Sequence, residues 1–170
     1  MIKMLRDAFL ISLVIVNAPF TAFADENSKV QVDHKASIDN ALDSTKPIKD
    51  SLIELTDDIV EQASGRSTKN DFREAQLLME LTFSVINHHS GLMQWAYVYD
   101  IKCDSIVHLQ ATFNMEFHRI LISSYKSKLN GILQYYADDI GQAQSDRLNR
   151  LVGLLYDNAI IIDAKIRETH

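Results

Sequence analysis

Two spacings in this chain could present a pair of ligands to a soft metal such as Cu(I): Met115 with His118 at i, i+3, and His89 with Met93 at i, i+4. On a helix both spacings bring side chains to one face, and thioether with imidazole is a donor set that suits such an ion. The same wheel places His118 near Val107, Tyr125 and Tyr136, which also suits a hydrogen-bonded histidine at the core boundary. His108 falls beside Thr112 and Arg119, on the polar side. Covalent haem needs Cys-x-x-Cys-His, and Cys103 is the only cysteine. Glu-x-x-His, which a di-iron bundle requires on two helices, does not occur, and neither does His-Glu-x-x-His. No cofactor is therefore expected, and a small metal- or haem-binding bundle is the alternative to be weighed.

Catalytic spacings are fewer still. There is no Gly-x-Ser-x-Gly and no phosphate-cradling glycine loop. Cys103 stands just ahead of an expected helix start, where the positive end of the helix dipole lowers a thiol pKa, but burial is the commoner fate of a lone cysteine. Asp57-Asp58 and Asp138-Asp139 are adjacent pairs whose side chains leave a helix about 100° apart, so neither makes a cooperating acid and base. The expectation is that the protein is not an enzyme.

Spacing points more readily to surfaces. Asp50, Glu54, Asp57 and Glu61 recur by four, three and four, opposite the apolar residues Ile48, Leu52, Leu55 and Ile59. Like charges along one face repel by a few tenths of a kcal/mol per pair. A cationic partner would relieve that repulsion, although a solvated acidic face needs no partner at all. Trp95 and Tyr99, with Leu92, fall away from the main apolar face of their helix and are candidate interface anchors, packing against a neighbouring helix being the other reading. Leu154 and Ile161, with Ile160 beyond them, lie off the stripe of the last helix and suggest a homodimer seam or a wide buried arc.

The elements that position these residues are helices. Pro47 and Pro19 are the only prolines in 170 residues and there are five glycines, which suits long helices and few turns. Thr45 is expected to cap a first helix over Lys46–Ala63, with Pro47 in its first turn. Asn70 or Asp71 caps a second, carried on Ala75, Met79, Thr82, Ile86, Met93 and Ala96, with a kink expected at Gly91 if anywhere. A third runs from Asp104 or Ser105 to Ala137, and its wide apolar arc (Phe113, Phe117, Leu121, Tyr125, Leu129, Ile132) is the profile of a central helix, with Gly131 able to divide it. Ser145 opens a fourth, with Leu148, Leu151, Val152, Leu155, Ala159, Ile162 and Ile166 on one stripe. Short connections make neighbours run in opposite directions, so the fold class is all-α, an antiparallel up-and-down four-helix bundle with a flexible N-terminal lead.

Residues 1–24 read as a secretory signal peptide. Lys3 and Arg6 precede the apolar run Ala8–Val16, and Ala22-Phe23-Ala24 offers small residues at a cleavage site. The run is far short of the roughly 20 residues that span a bilayer. The expected organisation is signal peptide 1–24, flexible lead 25–44 and bundle domain 45–170. The full chain carries −6, and loss of Lys3, Arg6 and Asp7, together +1, leaves −7. That balance excludes nucleic acid and makes another protein, cationic in character, the expected partner, with no membrane insertion of the mature chain and a homodimer as a further option. The leading expectation is a periplasmic or secreted, non-catalytic protein-binding bundle, an immunity or inhibitor protein that neutralises a toxin or hydrolase. A secreted effector is the third reading.

Overall fold

A computed structural model describes residues 34–65, 69–100 and 105–167. Among them are four helices and no strand: α1 (His34–Ser64), α2 (Lys69–Asp100), α3 (Ser105–Ile140) and α4 (Gln142–Arg167). They form an antiparallel four-helix bundle in which each helix packs on the next, α4 closes against α1, and α2 also meets α4 across the diagonal. The expected signal peptide, the lead as far as Asp33, and Cys103 lie outside the described residues. No helix among the described residues is long and apolar enough to cross a membrane.

α1 begins twelve residues ahead of the expected Lys46, so residues 34–44, read as a flexible lead with one helical turn near Ile38 to Leu42, are helical throughout. Ile38, Ala41, Thr45, Leu52, Leu55 and Ile59 are all buried, and the half-buried Ile48 completes a spacing that alternates three and four from end to end. Thr45 does not cap. It lies inside the helix with its hydroxyl donating to the carbonyls of Ala41 at 2.8 Å and Leu42 at 3.1 Å, while Ser44 donates to Ala41 at 3.0 Å. Pro47, expected in a first turn, is therefore interior. It offers no N–H to the carbonyl of Asp43, a position that ordinarily weakens a helix. The early turns are held from outside as well, because the Tyr97 hydroxyl of α2 donates to the Asp39 carboxylate.

The central helix is α2, not α3. Leu78, Leu81, Val85 and Leu92 are buried in addition to Ala75, Thr82, Ile86, Met93 and Ala96, so α2 buries a broader stripe than α3 and packs on all three other helices. α3 buries only Ala111, Met115, Ile122, Leu129, Leu133, Tyr136 and Ile140. Phe113 and Phe117, assigned to its core arc from the sequence, stand in solvent.

Gly141 ends α3 with φ +87°, a left-handed conformation open to glycine without strain. Its carbonyl then accepts from the amides of Gln144 and Ser145, both at 3.1 Å, so one residue closes α3 and opens α4. Ser145, expected to open that helix, is buried within its first turn. Farther along, α3 and α4 are tied by a chain of alternating charge. Glu116 pairs with Arg119 and, at 3.2 Å, with Arg167; Asp163 pairs with Arg167 at 2.8 Å and with Arg119 at 3.6 Å. The hydrogen bonds from Arg119 hold the Glu116 carboxyl below the usual range.

Candidate functional site

His88 and His89 are neighbours on α2, so their side chains leave the helix about 100° apart and reach different helices. His88 turns to α3, where its Nδ1 lies 2.9 Å from Nδ1 of His118. Such a bond needs one ring to donate and the other to accept, so the two neutral rings carry complementary tautomers. The His88 ring stacks on Tyr125, with centroids 5.5 Å apart and planes 10° from parallel, and meets the edge of Phe117. Gly91, one turn along α2, is where the His118 ring sits: a Cβ there would come within 2.5 Å of its Cε1. Both rings are half-buried, and burial lowers both pKa values, that of His118 further through the neighbouring His88.

His89 turns the other way and is fully buried. Its Nε2 lies 2.9 Å from the Asn158 Oδ1 of α4, an acceptor, so Nε2 carries the proton. Among the described residues its Nδ1 has no hydrogen-bond partner, which agrees with a neutral ring. Burial, then the charge of Lys49, push its pKa down to about 4 against the opposing effect of the Asn158 bond. Lys49 of α1 donates to the Ser90 hydroxyl at 3.0 Å, and that hydroxyl donates to the Ile86 carbonyl at 2.9 Å. Burial lowers the Lys49 pKa to about 8. Across its middle the bundle therefore holds a layer of bases drawn from α1, α2 and α3, with an Asn from α4.

Of the two candidate metal pairs, His89 is engaged by Asn158 and His118 by His88, while Met93 and Met115 are core residues at 1 % exposure. Among the described residues, no three of His, Cys, Asp and Glu meet as metal ligands. His108, expected beside Thr112 and Arg119, stacks its ring on Tyr99 of α2 with centroids 5.1 Å apart. Trp95 and Tyr99 are half-buried against the core, and Leu92 is within it, so these side chains pack inward. A shallow recess lined by Ile59, Gln62, Ala63, Tyr136, Asp139 and Ile140 opens to solvent and has no room for even a water molecule, so it does not form a small-molecule pocket.

Surface features remain. Asp50, Glu54 and Glu61 are exposed along α1 and Asp57 is half-buried in the same row, as the spacing implied. Leu154 and Ile161 are exposed on α4, with the exposed Asp157 between them, so the seam expected there is interrupted by charge. The larger feature was missed from the sequence. On α3, Ile106, Leu109, Phe113, Phe117 and Ile120 are 69 %, 72 %, 70 %, 48 % and 53 % exposed. They lie on the side opposite Met115 and Ile122, and they span about 21 Å of helix. The signal was present in their spacing of three, four, four and three, but it reads the same whether such a face is covered or bare. The chain matches no known protein family, no characterised protein and no solved structure.

Proposed function

We propose that the protein is exported and non-catalytic, and that it works by binding another protein, as an immunity or inhibitor protein does when it neutralises a toxin or hydrolase. The observation that carries this reading is the outer face of α3. Leu109, Phe113, Phe117 and Ile120 keep a contiguous apolar strip in water on a helix whose opposite side already supplies the core. A patch of this kind, rimmed by the polar Gln110, Asn114 and Ser123, marks a protein-docking surface. The exposed acidic row of α1 is a second surface, suited to a cationic partner. Export rests on the residues of the first segment.

Two measurements test the reading. Sequencing the N-terminus of the processed protein is expected to begin at Asp25, and a start at Met1 removes the export claim. Capture by tagged wild-type protein in the cell envelope fraction is compared with Phe113→Asp and with Glu54→Lys/Glu61→Lys. Loss of a specific partner in either surface variant is expected; capture unchanged in both removes protein docking at these faces.

A further inference from the structure

We propose that the outer face of α3 is covered by a second copy of this chain, paired antiparallel about a two-fold axis through Phe113. The proposal rests on the reading of this face as a docking surface and names its occupant, leaving the acidic row of α1 for a foreign partner.

The first argument is spacing. A two-fold interface uses the same patch on both copies, so the patch must be complementary to itself. From Ile106 through Leu109, Phe113 and Phe117 to Ile120 the steps are three, four, four and three, which read identically in either direction. Reversing one helix about Phe113 lays Phe113 on its own mate, Leu109 on Phe117 of the second copy, and Ile106 on Ile120 of the second copy. A parallel pairing offers none of these matches.

Charge supplies the second argument. A chain of net charge −6 repels its own copy over most of its surface. Residues 105–115 contain no Asp, Glu, Lys or Arg. The first charges C-terminal to them, Glu116 and Arg119, neutralise each other and pair with Arg167 and Asp163 of α4. The α3 strip is thus where two such chains can meet without like charges facing, whereas the α4 pair Leu154 and Ile161 is divided by Asp157. A cationic partner would find no carboxylate on the strip itself.

Area is the third. The five side chains expose on the order of 500 Å² of apolar surface, near the upper end of what a monomer keeps bare. With the rim of Gln110, Asn114, Glu116, Ser123 and Ser124 the contact approaches the ~800 Å² per partner of a standard interface.

Sedimentation equilibrium of the processed protein tests this. A dimer is expected at about 50 µM, with Phe113→Asp weakening association by about 100-fold or more while the helical circular dichroism is unchanged. The register is read by a charge pair. Leu109→Lys alone and Phe117→Glu alone are expected to be monomeric, and the double variant is expected to dimerise again, because antiparallel pairing sets an ammonium against a carboxylate at both ends. A double variant that stays monomeric while folded overturns the pairing. A wild-type chain that remains monomeric at about 50 µM overturns the second copy, and gives the face to a foreign protein if Phe113→Asp still abolishes capture. Dimers unaffected by Phe113→Asp place the interface elsewhere and overturn the proposal.

Discussion

Gly91 and Gly131 both sit inside helices, and their surroundings make them opposite cases. A methyl at Gly91 would enter the His118 ring, whereas nothing lies within 4 Å of a Cβ at Gly131. Gly91→Ala gains up to about 1 kcal/mol of helix propensity but must displace a ring that His88 and Tyr125 hold in place, so a net loss of about 1–2 kcal/mol is expected. Gly131→Ala is expected to gain about 0.5–1 kcal/mol. Urea denaturation of the two variants measures both, and equal gains would show that the approach of His118 to α2 is not close. Adjacent residues on a helix leave it about 100° apart, so His88 and His89 meet different neighbours. Which neighbour each would meet depends on residues 30 and 69 positions away, His118 and Asn158.

At the scale of elements, the two departures from expectation share a cause. α1 was read as starting at Lys46 because Thr45 and Pro47 together resemble a cap and a first turn. Thr45 instead bonds back to the preceding turn, and Tyr97 and the burial of Ile38 hold the turns that Pro47 interrupts. Pro47→Ala restores an N–H for the Asp43 carbonyl and is expected to raise stability by about 1–3 kcal/mol, seen as an increase in Tm. A decrease would mean that the α1–α2 contact depends on the local geometry that proline imposes. α3 was read as central because its apolar residues cover a wide arc. Only part of that arc faces the bundle, and periodicity reports the width of an apolar face, not what lies against it.

Considered whole, the molecule places Lys49, His88, His89 and His118 in one layer, and the partners identified for them, Ser90, Tyr125 and Asn158, include no carboxylate. Stability should therefore fall on acidification. The folded chain keeps His89 neutral down to about pH 4, while in the unfolded chain an ordinary imidazole takes its proton near pH 6.5. Between those values the unfolded state binds more protons, so stability rises with pH, and the loss by pH 4 from this group is on the order of 3 kcal/mol. The lowered His88 and His118 add to it in the same direction. Thermal melts are expected to show Tm dropping steadily from pH 7 to pH 4, with His89→Gln flattening the slope. A Tm unchanged across that interval would contradict a neutral, buried His89. Lys49 follows the same sign at higher pH, its penalty fading as pH rises from about 8 toward its ordinary value.

What the sequence by itself determined is the number of helices, their antiparallel order and most of their buried stripes. Those follow from periodicity and short connections, which are local properties. The acidic row of α1 was legible for the same reason, since four carboxylates at helical spacing share a face whatever the helix packs against. Only the tertiary structure decided that α2 is central, that His88 pairs with His118 across Gly91, and that the second apolar arc of α3 is left bare. Each of these is a choice among faces of equal local merit. The choice belongs to packing, because a four-helix core has room for one side of α3, and α2 has taken the remaining contacts.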